Sequence, residues 1–215
     1  PIVCAQSLEL ETVSRLQESL RIDTINPPGN ESRAVEFFAR FLKAEGIPYE
    51  TAESTPGRGN LWARLEGGGE PTLILLNHTD VVPADPRHWT TSPLSGELRD
   101  GLIWGRGALD MKGTGLLQFQ AFVALHRAGK PLRRDVVFVA TADEEAGGVP
   151  GARRPGRNRP EVFAGAELPP PRGGWGSLAS RAGPLAVGGH PKGPPRLPLT
   201  APDGPGHAPA PRARA

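Results

Sequence analysis

His78-Thr79-Asp80, Asp110 within Gly105–Gly113, and Asp143-Glu144-Glu145 each stand just past a short apolar run of this chain. Imidazole nitrogen and carboxylate oxygen together form the ligand set of hard or borderline divalent ions such as zinc, manganese or cobalt. Each group alone has an ordinary explanation. A lone histidine after a strand is more often a surface or satisfied histidine than a ligand. Asp110 opens an apolar-periodic segment and reads as a helix N-cap. Glu144-Glu145 reads as the acidic first turn of a helix. Their joint occurrence changes the reading, with 32 residues from His78 to Asp110 and 34 from Asp110 to Glu144.

The elements that must position these groups follow from apolar spacing. Ser7 can cap a helix through about Ile22, with Val13, Leu16 and Leu20 at helical spacing. Asn26-Pro27-Pro28-Gly29 predicts a rigid loop. A second helix is expected from about Glu31 to Glu45, with Val35, Phe38, Phe41 and Leu42 on one face and Gly46 ending it. Short strands are expected near Tyr49–Glu53 and Asn60–Arg64. Thr72–Leu76 suits a strand buried on both faces. Leu102–Trp104 predicts a further strand, Asp110 to Ala128 a helix closed by Gly129, and Val136–Thr141 a second buried strand. Helices alternating with buried strands predict an α/β fold with a mainly parallel or mixed sheet. Sites in such folds lie beyond the carboxyl ends of the strands, where the histidine and carboxylates fall.

The run His78-Thr79-Asp80-Val81-Val82-Pro83, then Trp89, Pro93, Asp100-Gly101, Gly105-Arg106-Gly107, Asp110-Met111-Lys112-Gly113 and Thr141–Glu145 resembles the dinuclear zinc hydrolases of metallopeptidase clan MH. That group includes aminoacylases, acetylornithine deacetylase, succinyl-diaminopimelate desuccinylase, glutamate carboxypeptidase and the carboxypeptidase S type. The resemblance runs from about Leu8 to Gly148. Asn26-Pro27-Pro28-Gly29 and Trp104 lean toward the carboxypeptidase S or N-acyl-amino-acid hydrolase branch. The implied fold is three-layered and zinc-exopeptidase-like, with helices around the sheet.

The resemblance also implies roles. His78 ligates one metal, and Asp80 accepts the other N–H of the imidazole. Asp110 bridges both metals, and Glu145 ligates the second. Glu144 stays off the metals as general base, passing the proton to the leaving amine. Two cations roughly 3.5 Å apart lower the pKa of a shared water and polarise the scissile carbonyl, and a carboxylate beside them removes the proton. The implied cofactors are two divalent ions, zinc first, with cobalt or manganese as alternatives. The substrate is a small peptide or N-acyl amino acid. His88 and His126 read as surface or capping residues. Arg106 lies in a tight turn whose glycines have a structural reason first. Lys112 is expected to support the helix start or the local carboxylates.

Composition marks where the resemblance stops. From Val149 onward 27 of 67 residues are Pro or Gly, a low-complexity composition that predicts disorder. This segment carries 10 Lys and Arg against 3 Asp and Glu, whereas residues 1–148 carry 15 against 20. The expected division is therefore 1–148, the N-terminal part of a zinc-hydrolase catalytic domain, and 149–215, a basic tail. The tail has only Phe163 and Trp175 as aromatics, so nucleic-acid binding is not expected. The family needs two further ligands, and usually a dimerisation domain between them; none is recognisable. Glu167 is a weak substitute for one ligand, while His190 and His207 lie in Pro/Gly-rich sequence without an element to hold them. The expectation is an incomplete fold from a truncated or frameshifted gene, which the encoding DNA tests.

Cys4 is the one cysteine and excludes an internal disulfide. No stretch approaches the ~20 apolar residues of a membrane span. Val3-Cys4-Ala5 resembles the end of an export signal, which leaves the compartment open between cytoplasmic and exported. Three functional readings remain: an amide hydrolase, an inactive fragment of one, and a basic-tail interaction protein.

Overall fold

The computed structural model describes residues 2–147 and 160–166. Helix α1 spans Ile2–Arg21 and α2 spans Ser32–Ala44. Strands β1 (Tyr49–Glu53), β2 (Gly59–Leu65) and β3 (Glu70–His78) follow. A hairpin of β4 (Glu97–Arg99) and β5 (Leu102–Trp104) precedes α3 (Lys112–Ala128) and β6 (Arg134–Thr141). The main sheet has the order β1-β2-β6-β3, with β3 parallel to β6 and the other pairs antiparallel. The fold is thus α/β with a mixed sheet, as the alternation of helices and strands predicts.

One face of the sheet is covered by α2 and α3, with α1 lying along α3. Phe38, Phe119 and Phe138 meet there with centroids 5.0 to 5.2 Å apart, tilted or edge-on as ring quadrupoles prefer. On the opposite face Val162 and Phe163, from a 3-10 turn at Pro160–Phe163, pack on Trp62, Val137 and Val139. Ala166 then bridges to Thr72 on the outer edge of β3. Residues 160–166 therefore take part in this packing although composition assigns them to the tail. Glu167, His190 and His207 lie outside the described residues, as does the rest of the tail.

Three local expectations change. α1 begins at Ile2, so Ser7 lies inside the helix and does not cap it, and residues 2–5 form its first turn. Asp110 is not the N-cap of α3. That position belongs to Met111, which makes no side-chain cap, and the Asp110 carboxylate turns toward His78 instead. β3 is an edge strand with Leu73 44% exposed, not a strand buried on both faces. Leu75 packs with the helix-side core while Ile74 and Leu76 pack on the other face. A continuous apolar run cannot distinguish an edge from a centre, because strand neighbours are set by distant sequence.

Among the described residues no helix is long and apolar enough to cross a membrane.

Candidate metal centre

The parallel register of β3 and β6 puts His78 opposite Thr141, so both strands end at the same level. Thr79 N donates to Thr141 O at 2.9 Å, and Thr141 Oγ1 to Asn77 O at 3.1 Å, locking the two exits together. His78-Thr79-Asp80 and Asp143-Glu144-Glu145 thereby leave the sheet side by side. The segment Thr24–Asn26 runs along the far side of Thr79–Val81, with Val81 N bonded to Thr24 O and Asn26 N to Val81 O. Asp110 arrives from the turn after β5. That turn passes Val81 so closely that a Cβ on Gly107, at φ +87°, would stand 2.7 Å from Val81 Cγ1. Only glycine fits there.

Ligand atoms of His78, Glu144 and Glu145 lie within 4.8 Å of one another. Asp110 Oδ1 is 3.2 Å from His78 Nε2, and Glu144 Oε2 is 3.7 Å from the same nitrogen. His78 is buried at the floor, whereas the Asp110 and Glu144 side chains are 74% and 45% exposed at the mouth. Glu144 and Glu145 lie in a turn, not in the first turn of a helix. The Nδ1–H of His78 donates to the Asp80 backbone carbonyl at 3.0 Å, with Asp80 Oδ1 at 3.5 Å. This leaves Nε2 facing the acidic cluster.

Electrostatics match this geometry. Burial alone would lower the His78 pKa, but hydrogen bonding to Asp80 and the charges of Asp80 and Glu144 outweigh it and push the pKa up to about 9. Burial acts to raise Asp80, yet hydrogen bonds from His78 and Asn26 hold it below the usual carboxylate range. Glu145 is raised, chiefly by burial and then by the neighbouring carboxylates. Carboxylates crowded around one imidazole nitrogen favour a cation at that point, whether proton or metal.

The resemblance implies that Asp80 orients the imidazole; here its backbone carbonyl makes that hydrogen bond, and its carboxylate is directed mainly elsewhere. It is completely buried. Its Oδ1 accepts the Glu144 N–H at 3.1 Å, and its Oδ2 accepts the Glu145 N–H at 3.1 Å and Asn26 Nδ2 at 2.8 Å. One residue therefore holds the imidazole through its backbone carbonyl and the backbone carrying the glutamates through its carboxylate. Behind it Asn26, Arg58, Glu31 and Asp143, all buried, form a polar cluster that the sequence reading does not single out. The sequence hints only at Asn26, in its Pro/Gly loop, and at Asp143, beside the two glutamates. Arg58 and Glu31 carry no local signature, since their proximity depends on tertiary folding.

The remaining candidates fall elsewhere. Lys112 Nζ donates to Ser19 O at 3.0 Å and Ile22 O at 2.7 Å, so it anchors the start of α3 to the end of α1. Burial lowers its pKa to about 8. His126 contacts Glu45 O at 3.1 Å, and His88 is exposed beside Asp85. Arg106 stacks over Trp89 at 5.3 Å.

Helices against a mixed sheet, with an imidazole and carboxylates gathered at the strand exits, define an α/β fold of the zinc-exopeptidase type. The chain belongs to the peptidase family M20/M25/M40, whose model matches residues 74–188. It is 44% identical over 99 residues to succinyl-diaminopimelate desuccinylase of Xanthomonas oryzae pv. oryzae, covering 44% of this chain and 25% of that protein. The Methylorubrum populi desuccinylase is 37% identical over 138 residues, covering 61% and 35%. Among solved structures, human carnosine dipeptidase 1 superposes with TM-score 0.61 at 26% identity, covering 75% of this chain and 38% of that one. The M20 family metallo-carboxypeptidase Sso-CP2 of Sulfolobus solfataricus gives 0.63 at 26%, covering 72% and 36%. A dinuclear metal binding peptidase, YXEP of Bacillus subtilis, shares the fold at TM-score 0.51 and 16% identity. The chain thus spans about a quarter to a third of the curated relatives it matches.

Proposed function

We propose that this chain carries the metal-binding half of an amide hydrolase acting on small peptides or N-acyl amino acids. The observation that carries the reading is the convergence of His78, Glu144 and Glu145 donor atoms within 4.8 Å, with Asp110 3.2 Å from His78. The donor set fits a hard or borderline divalent ion: one neutral-capable nitrogen and several carboxylate oxygens, with the imidazole already aimed by its Nδ1 hydrogen bond. His78, Asp110 and Glu145 would hold the ions, zinc first, with cobalt or manganese suiting the same ligands. Bound there, divalent ions supply a water of lowered pKa and a polarised carbonyl.

The protein groups divide the rest. Asp80 keeps the imidazole and the glutamate turn in register. Glu144, at the open mouth, takes a proton from water and returns it to the departing amine nitrogen. The likeness to desuccinylases and dipeptidases supports a substrate whose amide joins an acyl group to an amino acid. The test is release of free amine from N-succinyl amino acids and dipeptides by the zinc-loaded chain. Glu144→Gln should abolish release while retaining zinc; equal rates in both chains would refute the assignment.

A second reading has a specific observation behind it. Among the described residues, two ions would share Asp110 and have one further ligand each, His78 or Glu145, against the three protein ligands of a catalytic zinc. On that reading the chain binds metal weakly and does not hydrolyse, and the zinc-loaded wild type releases no amine. The basic-tail reading, in which residues 149–215 form an interaction segment, predicts salt-sensitive nucleic-acid binding that is lost when those residues are deleted.

A further inference from the structure

Arg58 lies on no element that bears a candidate ligand, yet it is 8% exposed and reaches four groups behind the site. Its Nη1 donates to Asn26 Oδ1 at 3.2 Å and to Pro28 O at 2.5 Å, its Nη2 donates to Asp143 Oδ1, and its Nε lies 3.1 Å from Glu31 Oε2. Glu31 is fully buried and accepts the Asp143 N–H at 3.1 Å through its other oxygen. Asn26 closes the circuit, donating to Asp80 Oδ2 at 2.8 Å and to Asp143 Oδ1 at 3.3 Å.

Burying one cation among these acids is costly unless every group is paired, and removing one partner of such a set is worse than never having built it. A plain core would serve stability at least as well. What the set provides is position. Asp143 sits at φ +65°, a left-handed conformation that few residues other than Gly, Asn and Asp adopt. It immediately precedes Glu144-Glu145, whose backbone N–H groups point at Asp80. The loop around Asn26 is pressed onto the guanidinium so closely that a Cβ on Gly29 would stand 2.2 Å from Nη1.

We propose that Arg58, with Asn26, Glu31 and Asp143, is a positioning clasp that holds Asp80 and the Glu144-Glu145 turn in metal-binding geometry. The inference rests on the metal-centre reading above for what is being positioned, but not for the clasp itself.

The test uses the full chain and two readouts. Amide hydrogen exchange of the metal-free protein compares Asn26→Ala, Arg58→Lys and Arg58→Met with wild type. Asn26→Ala should lower protection of the Glu144 and Glu145 amides about tenfold while Val137 and Val139 in β6 keep theirs. Arg58→Lys, which retains the charge but not the fork, should fall between wild type and Arg58→Met. Competition against a chelator should show zinc affinity reduced about tenfold in Asn26→Ala, the scale for residues that orient ligands. Phe38→Leu, a core change far from the clasp, should lower stability without altering zinc affinity. Should Arg58→Met fail to fold, Asn26→Ala and Arg58→Lys decide. The proposal is overturned if the two glutamate amides keep their protection, or lose it by the same factor as β6. It is also overturned if they lose it while zinc affinity stays unchanged. A wild type that binds no zinc refutes the metal reading instead, and the exchange pattern still decides whether the clasp exists.

Discussion

Replacing Asp80 with asparagine changes one atom type and should cost the metal-free chain about 2 kcal/mol. Its two oxygens face only donors. Oδ2 receives Asn26 Nδ2 and the Glu145 N–H, while Oδ1 receives the Glu144 N–H and lies 3.5 Å from His78 Nδ1. An asparagine amide can present its carbonyl to one side, but its NH2 then opposes the donor on the other. Turned the better way, its carbonyl keeps Asn26 and Glu145 and its NH2 opposes the Glu144 N–H, which loses its acceptor at ~1–3 kcal/mol, while His78 Nδ1 keeps the Asp80 backbone carbonyl. The loss of negative charge beside an imidazolium adds to this. Urea unfolding of metal-free wild type and Asp80→Asn at pH 7, followed by tryptophan fluorescence, gives the difference directly. A loss below about 1 kcal/mol would mean that the carboxylate is not the hub described above.

Other outcomes follow from the same structure. Gly29→Ala places a Cβ against Arg58 and Glu31 at φ +100° and should destabilise by roughly 2 kcal/mol or more, whereas Gly69→Ala, with nothing within 4 Å, should be near neutral in the same urea titration. Because His78 has its folded pKa raised to about 9, the stability it contributes is complete below the unfolded value of about 6.5 and is lost as pH rises through 9. Urea midpoints of metal-free wild type should fall relative to His78→Gln over that window; parallel profiles would contradict it. Phe119→Ala empties the centre of the Phe38–Phe138 contact and should cost about 3–5 kcal/mol by thermal or urea unfolding.

Much of this arrangement is legible in the sequence alone. β1 and β5 occupy the residues where short strands are expected, and α2 and α3 end at Gly46 and Gly129, both with positive φ. Those signals are local, as are the apolar runs of β3 and β6 that carry His78 and Glu144-Glu145 to a common level. The edge position of β3 was not legible, because strand order depends on partners dozens of residues away. Nor was the Arg58 clasp, since a buried arginine and a buried glutamate look in sequence like any solvated charges. Asp110 shows the same limit. A capping role and a role beside His78 share one sequence signature, and only the turn through Gly107 distinguishes them.

Zinc binding to the full chain tests the central claim most directly. Equilibrium dialysis should show saturable binding in wild type and at least about tenfold weaker binding in His78→Ala, which removes the one nitrogen ligand of the cluster. Superimposable isotherms for the two chains, or no saturable binding in wild type, would contradict it.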